Sequence, residues 1–268
     1  MIKLNNVLIQ PTIFPDKTSQ IWKVDEKLLK ENSVVTWNFS YEAELIHLAQ
    51  LKTLLDSSGV VSVKLYIDYL PYARQDKHIS NNSTFALFTF ASILNYLEFD
   101  EVIIQDPHSY RALTLINKSN AVYPENKIKT VIKELQIDTI CYPDKGANTK
   151  YNQVYNFQDY NFQDCNIIIG DKIRNQSTGK ITSYKILGIN NSLKTKNILI
   201  IDDICDGGAT FEILTKELLK YNVNSINLFV THGIFSKGLK SLFEAGISRI
   251  FTPKGEAINI HDTWGFKK

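Results

Sequence analysis

Residues 198–210 read ILIIDDICDGGAT, and a helical period follows over 211–220. Residues 197–202 read as a strand, and its apolar run at 198–201 suits one covered on both faces. It ends in two adjacent carboxylates, Asp202 and Asp203. A turn then follows, Asp206-Gly207-Gly208-Ala209-Thr210, and leads into the helix. Glycines let the backbone turn tightly and approach a bound molecule. Free N–H groups at a helix start, with the helix dipole, favour an anion, and Thr210 adds a hydroxyl donor. Acceptor-only carboxylates at the carboxyl end of an α/β strand suit vicinal ribose hydroxyls. Taken alone, the stretch equally fits a strand–turn–helix with solvated acids. Neither GxGxxG nor GxxxxGK[ST] occurs, so a dinucleotide fingerprint and a Walker loop are unsupported.

Outward from this stretch, short apolar runs at 64–68, 102–105, 139–142, 166–170 and 226–231 read as further strands. Helical periods lie between them. Leu45, Leu48, Leu51 and Leu55 form one stripe over 42–55, and similar patterns occupy 85–97, 128–135 and 211–219. Strands alternating with helices imply an α/β architecture with parallel sheets. The polar turn at 122–126, which holds Pro124, predicts a seam between domains at 1–124 and 125–268. The pentapeptide YNFQD occurs twice, at 155–159 and 160–164, and reads as a local duplication at the end of a helix. The segment 251–268 reads as a last strand, a turn and a frayed end.

The 268 residues carry 44% hydrophobic and 22% charged side chains, which excludes fibrous and wholly disordered classes. A net charge of +2 demands neither a nucleic acid nor a membrane as partner. Cys141, Cys165 and Cys205 have neither zinc nor disulfide spacing. No signal-peptide pattern opens the sequence, and no apolar run is long enough to span a bilayer. The expected location is the cytoplasm.

The 202–210 segment resembles the phosphoribosyl-diphosphate motif of phosphoribosyltransferase-fold proteins. Other segments narrow the resemblance. Residues 68–77 (DYLPYARQDK), 106–109 (DPHS), 143–147 (PDKGA), 171–174 (DKIR) and 230–236 (VTHGIFS) are similar, in order, to motifs of the ribose-phosphate diphosphokinases. The fold this implies is α/β, with two phosphoribosyltransferase-like domains, each a largely parallel sheet flanked by helices.

The resemblance implies transfer of the β,γ-diphosphoryl group of ATP to the anomeric hydroxyl of ribose 5-phosphate, with Mg2+. By that resemblance Lys172, Arg174 and His108 are catalytic. Phe14, Asp16, Arg74 and Gln75 bind ATP, although Thr18 stands where the family has Glu. Asp144, Asp202 and Asp203 hold the ribose, while Asp206, Gly207, Gly208, Ala209 and Thr210 hold its 5-phosphate. His108 and Asp144 position the metal. The chemistry suits these types, because in-line diphosphoryl transfer needs positioning and charge neutralisation more than covalent catalysis. The polar stretch 175–185 suits a lid over the site.

Departures from the family leave alternatives open. Typical members read DTGGT where this chain has DGGAT, so one hydroxyl donor is lost. The altered loop also admits a 5-substituted ribose such as ADP-ribose, in an NAD-rebuilding route. Ile173 replaces an arginine. The reduced ends put the usual hexamer in doubt and leave a homodimer or small homo-oligomer as the expectation. Two rival readings are a phosphoribosyltransferase, which leaves 68–77 and 106–109 unexplained, and a non-catalytic synthetase-associated subunit, against which the full set of catalytic side chains counts.

Overall fold

The computed structural model describes residues 1–155, 165–174, 181–189 and 192–254. It divides into two compact units, Met1–Tyr123 and Pro124–Lys268. The second YNFQD copy and most of the first lie outside the described residues, as does the chain beyond Lys254.

The first unit contains β1 (Ile2–Leu4), β2 (Val7–Ile9), β3 (Thr12–Ile13), β4 (Ser19–Gln20), β5 (Asn32–Asn38), α1 (Glu44–Ser57), β6 (Ser62–Tyr69), α2 (Ala86–Tyr96), β7 (Glu101–Gln105), α3 (Arg111–Leu115) and β8 (Ser119–Val122). Six strands form a sheet in the order β2-β1-β5-β6-β7-β8. Strands β5 to β8 run parallel, and β1 pairs antiparallel with β2 and β5. The predicted stripe of α1 packs Leu48, Leu51 and Leu55 into the core beside Trp37, Leu65 and Ile67. The small β3–β4 hairpin is tied to α1 through Gln50, whose amide donates to the Ser19 carbonyl at 2.9 Å and accepts from the Ile21 N–H at 2.8 Å.

The second unit contains α4 (Glu125–Glu134), β9 (Thr139–Tyr142), α5 (Lys145–Val154), β10 (Asn166–Arg174), β11 (Ile181–Leu187), β12 (Asn197–Cys205), α6 (Ala209–Leu219), β13 (Ser225–Gly233), α7 (Lys240–Glu244) and β14 (Arg249–Phe251). Its sheet has the order β11-β10-β9-β12-β13-β14. All neighbours are parallel except the β10–β11 hairpin. The chain leaves β9 to one side for β10 and later returns to its other side as β12. Beta-9 and β12 therefore flank a topological switch point, the place where open α/β sheets bind ligands. The core of β12 (Ile198 to Ile201) is wholly buried, as its unbroken apolar run predicts. Among the described residues no helix is long and apolar enough to cross a membrane.

Several elements run further than their apolar patterns. Strand β12 continues through both carboxylates to Cys205, because β13 goes on pairing with it at Ile204↔His232 and Cys205↔Gly233. Strand β10 continues to Arg174, paired with β11 across a bulge between Ile173 and Arg174. Lys172 therefore stands on a strand, and residues 181–185 of the expected lid belong to β11.

Candidate active site

At the switch point the chain after β9 turns sharply at Pro143. Asp144 then caps α5, its carboxylate accepting from the Ala147 N–H at 2.9 Å. The parallel register sets Ile169 beside Tyr142, so the extension of β10 carries Lys172 to the same edge. The Lys172 ammonium donates to the Asp144 carboxylate at 2.6 Å. Burial alone raises the Asp144 pKa, but Lys172 and the N–H groups of Ala147 and Gly146 together hold it below the usual carboxylate range.

Asp202 and Asp203 follow on the adjacent β12. Asp203 is 5% exposed, and Lys150 of α5 lies 4.0 Å from its carboxylate. Asp202 accepts from the Asp203 N–H at 3.0 Å. Burial pushes the Asp202 pKa well up, and the charges of Asp203 and Asp144 add to it. The charges of Asp203 and Asp144 thus both bear on Asp202 at this edge of the sheet. A sugar's hydroxyl donors or a cation would relieve that repulsion.

The loop after β12 leads directly into α6. Gly208 sits at φ +80°, a left-handed conformation that costs any other L residue energy, and no side chain caps the helix. Gly207 faces Lys237. A Cβ built on Gly207 would lie 3.4 Å from the Lys237 Cε, so the lysine stem covers the loop. The chain that carries Lys237 is tied to the end of β12, where the Cys205 carbonyl accepts from the N–H groups of Ile234 and Phe235 at 2.9 and 3.1 Å. The Cys205 thiol has its pKa pushed up to about 12 by burial, then by the charges of Asp202, Asp206 and Glu212, so it stays a neutral packing group.

The structure thus brings together Asp144, Lys172, Asp202, Asp203 and the loop from Asp206 to Thr210, all in the second unit. Arg174 ends β10, and its side chain lies outside what is described. The remaining expected residues stand in the first unit. Arg74 and Gln75 are exposed after β6, and His108 is exposed after the neighbouring parallel strand β7. All three follow the carboxyl ends of adjacent strands. Phe14 and Asp16 form the tip of the β3–β4 hairpin. Asp16 accepts from the Thr18 hydroxyl at 2.7 Å and its N–H at 3.0 Å, which together lower its pKa.

Two residues of the second-unit site were not anticipated. Lys150 is carried by α5, a helix with too few apolar residues to show a period. Tyr184 of β11, paired with Lys172, lies 5% exposed with its ring against Gly170. The alternation of Tyr184 and Ile186 was the available signal for that strand.

No model of a known protein family matches the chain. A ribose-phosphate pyrophosphokinase of Saccharolobus solfataricus is 26% identical over 261 residues, covering 96% of this chain and 86% of the relative. One from Pyrococcus abyssi is 24% identical over 268 residues, covering 96% and 89%. The crystal structure of phosphoribosylpyrophosphate synthetase from Mycobacterium smegmatis superposes with a TM-score of 0.72 at 16% identity, covering 91% of this chain and 79% of that one. The chain is thus similar in sequence, over nearly its whole length, to ribose-phosphate pyrophosphokinases, and similar in fold to a phosphoribosylpyrophosphate synthetase.

Proposed function

We propose that the chain is a diphosphokinase that transfers the β,γ-diphosphoryl group of ATP to a ribosyl acceptor, ribose 5-phosphate in the first instance. The observation that carries this reading is the Lys172–Asp144 contact beside Asp202, Asp203 and the α6 loop at the switch point of one sheet. The two curated relatives described above carry the same activity in their names. In the reaction the anomeric oxygen attacks the β-phosphorus of ATP. A new O–P bond forms, the bond to the α-phosphate oxygen breaks, AMP leaves, and the anomeric proton is released. Asp202 and Asp203 accept from the ribose hydroxyls, and the loop N–H groups with Thr210 hold the 5-phosphate. Lys172 is positioned to meet the charge that develops on the transferring oxygens. Arg74 and Gln75 are assigned to ATP and His108 to the metal, with Phe14 and Asp16 at the adenine bound by a neighbouring subunit.

Among the described residues no three His, Cys, Asp or Glu side chains group to hold a metal ion. That donor set does not fit a cation caged by protein alone. It fits magnesium held by Asp144 with nucleotide phosphates and water, since this ion keeps several waters and uses few carboxylates. Bound there, magnesium would neutralise phosphate charge.

A specific observation supports a second acceptor. Gly207 offers no hydroxyl, and a lysine stem lies over it instead. A loop that binds through backbone N–H groups and a nearby ammonium suits a diphosphate ester such as ADP-ribose as well as a monoester. The test is AMP release from ATP and Mg2+ with either acceptor, the sugar product being identified by mass. Lys172→Ala should lower kcat about 100- to 1000-fold while leaving the KM for ATP within a few-fold. No AMP with either acceptor would refute the proposal.

A further inference from the structure

We propose that Tyr184 is a binding residue of the acceptor site, its hydroxyl donating to a phosphoryl oxygen held at the first turn of α6 beside Thr210. This rests on the reading above, and it assigns a contact that the sequence motifs do not contain. Three observations carry it. The Tyr184 hydroxyl is buried beside the Thr210 side chain, and that contact falls short of a full hydrogen bond. Other buried hydroxyls, those of Tyr142 and Thr215 among them, also lack a partner, but that of Tyr184 lies beside Thr210 and the site carboxylates, where an unfilled ligand position explains it. The ring is also held in one place. It lies against Gly170, where a Cβ would come within 2.8 and 2.9 Å of two ring carbons, so β10 lacks a side chain where the ring must sit. Finally, β11 packs on α6, and the hydroxyl shares its surroundings with Thr210, Asp144 and Asp202.

The phenol is suited to this work. Burial raises its pKa, Thr210 opposes that, and the charges of Asp144 and Asp202 add to it, so it remains a neutral O–H donor. The two carboxylates, when ionised, can only accept. A tyrosine O–H among them supplies a donor without adding a charge. An anion on the α6 loop gains that donor in addition to the backbone N–H groups.

The experiment compares wild type with Tyr184→Phe by calorimetric titration with ribose 5-phosphate and with ADP-ribose, alongside AMP release. The variant removes one oxygen and keeps the ring. Its unfolding midpoint should therefore hold or rise, because an unsatisfied hydroxyl is lost. Acceptor affinity should fall about 10- to 100-fold, as expected for a hydrogen bond to a charged oxygen, with the KM for ATP unchanged. Unchanged acceptor affinity would overturn the assignment while leaving the proposed reaction standing. If wild type binds an acceptor but releases no AMP, the proposed reaction fails, and the binding contrast still decides Tyr184. If wild type binds neither acceptor, both are overturned.

Discussion

Substituting Gly170 by alanine tests how the hairpin of β10 and β11 is locked. A methyl there meets Tyr184 Cδ1 at 2.8 Å, Cε1 at 2.9 Å and the Pro143 carbonyl oxygen at 3.0 Å. The ring contacts fall more than half an ångström inside carbon–carbon contact distance. The obstacle is not a flexible tip, because Tyr184 is buried in the second core and the other obstacle is backbone. Overpacking of this kind costs about 1–3 kcal/mol. In a unit of this size each kcal/mol lowers the midpoint by about 2–4 °C. The assay is urea unfolding followed by circular dichroism, run as a cycle with Tyr184→Ala. Removing the ring alone costs about 3–5 kcal/mol. In that background the ring contacts are gone and the Pro143 carbonyl at 3.0 Å remains, so the two changes should couple by about 1–3 kcal/mol, with the double variant more stable than the sum predicts. A coupling below about 0.5 kcal/mol would refute the argument that the ring is why glycine stands at 170.

The other expectations concern the acceptor loop. Gly208→Ala forces a side chain into the left-handed region and brings its Cβ to 3.0 Å from Leu242 Cδ2. A stability loss of about 1–2 kcal/mol with weaker acceptor binding is expected from denaturant melts and titration, and an unchanged midpoint would contradict it. Asp202→Asn should stabilise the ligand-free protein while lowering acceptor affinity. The sign follows from a folded-state pKa raised by burial and by Asp203. Charging Asp202 costs stability progressively as pH rises above its unfolded value, so the variant should melt higher at pH 8 and equal wild type at pH 3. The Asp203 N–H keeps an acceptor in either case, so the comparison isolates the charge. A variant less stable at pH 8 would sink the account.

What was legible in the sequence follows from how each element is buried. The run at 198–201 is wholly enclosed between two parallel neighbours, and only a continuous apolar strand can satisfy that position. The stripe of α1 showed itself because a helix resting on a sheet needs one apolar face. By contrast β5 escaped notice. It alternates strictly, burying Ser33, Val35 and Trp37 while Asn32 and Val34 face out, and a buried serine interrupts the apolar signal. Helix α5 has only Ala147 and Tyr151 buried and starts where the Asp144 side chain caps it, so tertiary packing sets its length.

The ends of β10 and β12 were misjudged for a different reason, and it concerns the site itself. Charged residues are depleted in strands, so a run that turns into Asp-Lys or Asp-Asp reads as strand end. Here the backbone ladders continue past those residues, to Arg174 and to Cys205. Lys172, Asp202 and Asp203 are consequently held on paired strands and not on free loops. Their positions are fixed by hydrogen bonds that make no use of the side chains. A constellation of charges can bring a sugar phosphate into register with a transferring group only if it does not relax when the ligand leaves. The raised pKa of Asp202 fits that constraint, since burial first and then the charges of Asp203 and Asp144 push it up on a strand that cannot move away. The polar interruption that hid the strand ends from the pattern is therefore the mark of the site.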